Sequence, residues 1–107
     1  MFASLSAENR IWSGAARLQI ADSFLAAFAG VPHAKLTAAR QGRKALDEQT
    51  ANVLLDAISR LEALTEAFHP VPLELKNAVA IRRLFEQMQG NGITYDQIGE
   101  AVKSLFQ

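Results

Sequence analysis

Apolar side chains recur at intervals of three and four residues along most of the chain, and this spacing constrains the fold more than any other feature. It gathers the apolar residues of each segment on one face of an α-helix. No segment alternates apolar and polar residues convincingly enough to predict a strand. The sequence therefore predicts an all-α fold, a small bundle of about six helices. With 107 residues, the chain predicts one domain with a substantial core, residues 1–107.

Several chemistries are excluded or disfavoured by what the chain lacks. It has no cysteine, which excludes disulfides, cysteine-ligated zinc and thiol catalysis. His33 and His69 are far apart and have no carboxylate at ligand spacing, so we expect no metal and no other cofactor. Because neither a nucleophile motif nor a phosphate-binding glycine loop is present, we expect no enzymatic activity.

The sequence also predicts no association with a membrane. No stretch approaches the roughly 18 consecutive apolar residues that a membrane-spanning helix requires. Residues 1–10 lack both a basic start and a continuous apolar run, so they do not resemble a signal peptide. We therefore expect a cytoplasmic location.

Turn and capping residues divide the first half of the chain into short helices. Ser6 is expected to cap the first helix and Asp22 the second. Gly30 has the conformational freedom to end the second helix in a left-handed conformation. Pro32 suits the first turn of a third helix that runs to about Arg40.

The second half predicts three further helices. A long one starts near Asp47, forms the spine of the core, and stops at residues 69–72, which read His-Pro-Val-Pro. Asn77 is expected to cap the next helix, and a turn is expected at residues 90–92. The last helix opens with a capping box at residues 94–97.

Charge is distributed unevenly although the formal net charge is zero. Residues 1–44 hold six basic and two acidic side chains, a net charge of +4. Residues 45–107 hold five basic and nine acidic side chains, a net charge of −4. Residues 31–44 include four basic side chains and no acidic one. Such asymmetry favours an anionic partner for the first half, whereas a solvated basic loop is the structural alternative.

Five residues between positions 22 and 44 have spacings typical of two helices joined by a tight turn. Ala26 is small and lies four residues before Gly30. Leu36 and Ala39 follow this glycine by six and nine residues, and Gly42 follows it by twelve. Over roughly residues 15–66, the pattern resembles the Cro and lambda-repressor-like family of phage and bacterial regulators. A generic helical hairpin could produce part of the same pattern.

The resemblance implies a helix-turn-helix at residues 22–41, within a core at about residues 15–69. The two C-terminal helices predicted within residues 73–107 are additional to the minimal family fold. It implies a transcriptional regulator of phage or plasmid type, a repressor that binds double-stranded DNA as a homodimer. The positions that match base-facing ones in the family are His33, Ala34, Thr37 and Ala38, and Gln41 is a further outward position predicted to face bases. The positions expected to contact phosphates are Lys35, Arg40, Arg43 and Lys44.

The outward residues of the third helix limit how well the protein could discriminate between DNA sequences. His33, Thr37 and Gln41 can hydrogen-bond base edges, whereas Ala34 and Ala38 can contact only a thymine methyl group. A protein-interaction module, an adaptor or small inhibitor that keeps the fold without DNA binding, is therefore the alternative function.

The C-terminal helices carry more apolar surface than a minimal core of this kind needs. Two interpretations remain open from the sequence: these helices form a dimerisation or partner surface, or they complete the core of the monomer. The residues expected at a dimer or partner surface are Val79, Leu84, Phe85, Met88, Val102 and Phe106.

Overall fold

The computed structural model describes residues 2–67 and 74–105. Within them the chain forms six α-helices, one 3-10 turn at Leu75–Asn77 and no strand, so the prediction of a small all-α bundle is confirmed. The helices are α1 (Phe2–Leu18), α2 (Asp22–Ala29), α3 (His33–Arg40), α4 (Glu48–Ala67), α5 (Ala78–Asn91) and α6 (Tyr95–Leu105).

The turn between α2 and α3 forms where the sequence places it. Gly30 has φ of +73° and ends α2 in the left-handed conformation, with its N–H donating to the carbonyl of Ala26. The N–H of Val31 donates to the same carbonyl at 3.0 Å. Pro32 then precedes α3 in an extended conformation, and its carbonyl accepts the N–H of Lys35 at 3.0 Å. Local backbone chemistry thus fixes the sharp change of direction between the two helices.

The capping box predicted for the last helix is present. The N–H of Thr94 donates to Oε1 of Gln97 at 2.9 Å, and the N–H of Gln97 donates to Oγ1 of Thr94 at 3.3 Å. Each side chain therefore satisfies a donor that the first turn of α6 leaves without a helical partner.

Two predicted helix starts in the first half are wrong. Helix α1 begins at Phe2, so Ser6 lies within the helix and not at its N-cap. Asp22 is the first residue of α2, and Ala21 occupies the N-cap position without a side-chain hydrogen bond. The carboxylate of Asp22 is used in a tertiary contact instead, which a local capping rule does not reveal.

Helix α5 starts where the sequence predicts, but its capping and its end differ from the prediction. Asn77 occupies the N-cap position but makes no capping hydrogen bond, and its side-chain nitrogen is buried without a partner among the described residues. The turn expected at residues 90–92 reduces to Gly92, because α5 continues to Asn91. The helix stop expected at residues 69–72 lies outside the described residues.

Helix α4 is the centre of the bundle. It packs against α1, α2 and α6, while α2 also packs against α3 and α5. Gly14 allows α1 to approach α4 closely, because a Cβ atom at this position would lie 2.5 Å from Cγ2 of Ile58. The largest fully buried side chains of this core are Phe24, Phe85, Ile11, Leu25, Leu36, Leu54, Leu61, Leu64, Ile81, Ile98 and Val102.

The C-terminal helices complete the core of the monomer. Phe85 is 1% exposed, and its ring meets those of Phe28 and Tyr95 at centroid distances of 5.4 and 5.8 Å. Val102 is also 1% exposed. The expectation that Phe85 and Val102 line a dimer or partner surface is therefore wrong, because both side chains are enclosed within one chain.

The other residues expected at that surface have mixed positions. Leu84 and Met88 are half-buried against the core, and Val79 is half-exposed. Phe106 lies outside the described residues. Among the apolar side chains of α5 whose burial is described, Val79 is half-exposed and Ala80, Leu84 and Met88 are partly exposed.

Candidate nucleic-acid interface

Helix α3 presents most of its surface to solvent. Leu36 is its one fully buried side chain, and the helix packs mainly against α2. His33, Ala34 and Gln41 are exposed, while Thr37 and Ala38 are half-buried. The structure thus brings together, on one accessible face, the five positions that the sequence predicts to face bases.

The hydrogen-bonding capacity of this face is modest. Oγ1 of Thr37 donates to the carbonyl of His33 at 3.3 Å, so the hydroxyl proton is already used within the helix. The hydroxyl oxygen can still accept a bond, the His33 ring can donate or accept, and the Gln41 amide can do both. Ala34 and Ala38 offer methyl groups. The face can accordingly form a few polar contacts with base edges and apolar contacts with thymine.

The Arg40 side chain is partly exposed, but its guanidinium is already paired within the chain, whereas the prediction of a phosphate contact requires it to be free. Its Nε donates to Oδ2 of Asp22 at 3.0 Å and its Nη2 to Oδ1 at 2.9 Å. The guanidinium carbon also lies 4.1 Å from the ring centroid of Trp12. A bidentate ion pair and a cation–π contact thus connect the end of α3 to the start of α2 and to α1.

Lys35 lies beside an acidic residue at the start of α4. Its Nζ is 3.9 Å from Oδ1 of Asp47, and both side chains are largely exposed. The Asp47 carboxylate also accepts the side-chain hydroxyl and the backbone N–H of Thr50. These hydrogen bonds, with the charge of Lys35 as a smaller cause, hold the pKa of Asp47 below its usual value of 3.8.

Arg43 and Lys44 form the most open part of the basic segment. Both are exposed, and neither forms an ion pair with any residue that the structure describes. Their backbone N–H groups donate to the carbonyl of Ala38 at 2.9 and 3.4 Å, and Gly42 has φ of +71°. The loop after α3 is therefore folded back on the helix and holds two cations at its end.

A buried carboxylate fixes the far end of this loop. Oε1 of Glu8, on α1, accepts the backbone N–H of Leu46 at 2.7 Å. Glu8 is 8% exposed and Leu46 is 4% exposed. Sequence reasoning missed this contact, although one signal for it existed: Glu8 precedes Ile11 and Ala15 on the apolar stripe of α1.

Tertiary contacts change the charge pattern that the sequence presents. Residues 31–44 contain no acid, yet the fold places Asp22 beside Arg40 and Asp47 near Lys35. Two of the four cations predicted to contact phosphates thus face a carboxylate of the same chain. Of the four basic side chains in residues 31–44, Arg43 and Lys44 are therefore the two most available to an anionic partner.

A separate groove of about 460 Å³ lies between α1 and α4. Arg17 and Glu62, which form an ion pair of 2.7 Å, are two of its lining residues. The remaining lining residues are Asn9, Arg10, Ser13, Leu55, Ile58 and Ser59. The groove contains none of the residues predicted to contact DNA.

Comparisons with known proteins do not assign the chain to a family. It matches no protein-family model, no curated protein and no solved structure. Among the described residues, no group of three histidine, aspartate or glutamate side chains could hold a metal ion. None of the helices in residues 2–67 and 74–105 is long and apolar enough to cross a membrane.

Proposed function

We propose that the chain is a small DNA-binding transcriptional regulator of the helix-turn-helix class, acting in the cytoplasm without a cofactor. The observation that carries the proposal is the exposed face of α3, which is followed directly by the open cations Arg43 and Lys44. A helix that fully buries Leu36, half-buries Ala39 against the core and exposes its other side is suited to the major groove.

In this role, contacts to base edges come from α3 and contacts to phosphates come from its flanks. His33, Thr37 and Gln41 form the polar contacts with bases, and Ala34 and Ala38 contact thymine methyl groups. Lys35, Arg43 and Lys44 neutralise phosphates. Three such contacts give a logarithmic salt dependence with a slope of about −3 for each subunit.

The proposed regulator acts as a dimer, because one short face with two alanines gives little discrimination between sequences. Two copies on half-sites about 34 Å apart, one turn of the DNA helix, would double the contacts. A repressor acts in this way by occupying its operator. The proposal therefore includes weak binding by one subunit and cooperative binding by two.

Fluorescence anisotropy with a labelled duplex of random sequence, at about 50 mM salt, tests the proposal. We expect binding at micromolar protein, and we expect Arg43→Gln with Lys44→Gln to lower the magnitude of the salt slope by about 2. The matched control is Arg83→Gln with Lys103→Gln, which removes the same charge from exposed positions on α5 and α6. An equal loss in the control, or no binding by the unmodified protein, rules the proposal out.

A protein-interaction module is the second candidate. It is favoured by Arg40, whose guanidinium is bonded to Asp22, and by the alanines at positions 34 and 38. A pull-down from nuclease-treated host lysate distinguishes the two functions. A partner that is retained without nucleic acid supports the module, whereas partners lost on nuclease treatment support the regulator.

A further inference from the structure

The end of α3 is held by three side chains from three helices. Arg40, on α3, forms two hydrogen bonds with Asp22 on α2 and lies over the ring of Trp12 on α1. The Asp22 side chain is 23% exposed and the Arg40 side chain is 43% exposed, so the ion pair is partly shielded from solvent. These three residues form what we call the Arg40 clamp.

The clamp lies at the C-terminal end of α3, a helix that makes few buried contacts with the rest of the bundle. The helix fully buries one side chain, Leu36, and half-buries Ala39 against the core. So few packing contacts leave a short helix able to tilt, because dispersion and hydrophobic terms act over a small area. A planar guanidinium that is bonded at its edge and stacked on its face restricts that tilt in two directions.

We propose that Arg40 is a positioning residue, which sets the orientation of α3 through Asp22 and Trp12 instead of contacting a phosphate. This inference rests on the proposed DNA-binding function for its effect on affinity. It assigns Arg40 a different role from Arg43 and Lys44, which contact phosphates. Removal of Arg40 misplaces the whole face and leaves the number of phosphate contacts unchanged.

Asp22→Asn is the decisive variant, because the two roles predict opposite results. If Arg40 contacts phosphate, removing the carboxylate releases the guanidinium, and DNA binding becomes tighter. If Arg40 positions α3, the loss of the bidentate pair loosens the helix, and binding becomes weaker by roughly three- to tenfold with an unchanged salt slope. Asp56→Asn, which removes a carboxylate from the Arg60 ion pair on α4, is the matched control and leaves affinity within about twofold.

Arg40→Lys separates charge from geometry. Lysine keeps the positive charge but can neither donate two parallel hydrogen bonds nor stack as a planar group. We expect Arg40→Lys to bind as weakly as Arg40→Gln. Recovery of the affinity of the unmodified protein by lysine, or tighter binding by Asp22→Asn, overturns the proposal. Binding is measured at a temperature where circular dichroism shows every variant folded.

Two readouts test the clamp without DNA. Trp12 is the only tryptophan of the chain, so its emission reports the guanidinium over its ring. We expect Arg40→Gln and Asp22→Asn to change that emission and to speed amide hydrogen exchange in α3, whereas Asp56→Asn changes neither. If the unmodified protein does not bind DNA, the proposed function fails, but unchanged emission and exchange in Asp22→Asn are what refute the clamp.

Discussion

The backbone N–H of Leu46 donates to the carboxylate of Glu8 at 2.7 Å, across 38 residues of sequence. This contact joins α1 to the end of the basic loop in a buried environment. Because a hydrogen bond to a charged group contributes about 1.5–3 kcal/mol, we expect Glu8→Ala to lower the free energy of unfolding by that amount. Urea denaturation followed by circular dichroism measures it.

Glu8→Gln separates the loss of the charge from the loss of the hydrogen-bond acceptor. The amide keeps an oxygen acceptor but loses the charge, so a loss of about 1 kcal/mol or less is expected. Glu100→Ala, at an exposed position on α6, serves as the control and is expected to be nearly neutral. Equal stabilities for Glu8→Ala and Glu100→Ala would contradict the role given to Glu8.

The burial of Phe85 makes α5 part of the folding unit. Because its ring is enclosed against Phe28 and Tyr95, Phe85→Ala should cost about 3–5 kcal/mol of stability. Val79→Ala, at the exposed face of the same helix, should change stability by about 0.5 kcal/mol or less. Chemical denaturation and light scattering are measured together. A Phe85→Ala variant that keeps its stability and loses only self-association would show that α5 is a partner surface.

The stability of the folded protein depends on pH through Asp47, which lies just before α4. Because Thr50 donates two hydrogen bonds to the carboxylate, the pKa of Asp47 is lower in the folded protein than its usual value of 3.8. A lowered pKa contributes stability that is fully present at neutral pH and is lost as pH falls below 3.8 towards the folded value. Thr50→Val removes the hydroxyl donor and should raise the pKa, measured by NMR of the Asp47 carboxyl carbon. An unchanged titration curve in Thr50→Val would contradict this cause.

Local sequence signals predicted the features that depend on neighbouring residues. Gly30 adopts the left-handed conformation that ends α2, and Thr94 and Gln97 bond reciprocally at the start of α6. Both features follow from residue types within four positions of each other. Helical periodicity likewise predicted the all-α bundle, since it requires only that each apolar stripe be buried.

Features that depend on distant residues were not predictable. Asp22 has the residue type of an N-cap, but Arg40 lies close enough in space to take its carboxylate. The buried position of Glu8 depends on Leu46. For Asp22 a local rule gives the chemistry of the side chain correctly and its partner incorrectly, whereas for Glu8 no local rule predicts a partner. The number of cations open to a ligand therefore had to be read from the fold.

Amide chemical-shift mapping with a random duplex is the sharpest test of DNA binding by α3, because it locates the bound surface residue by residue. We expect shifts concentrated at residues 33–44, on α3 and the following loop, which diminish as salt is raised. We also expect small shifts in α6, which packs against α4 and α5. The absence of shifts at saturating duplex, or shifts centred on α5 and α6, would contradict DNA binding by α3.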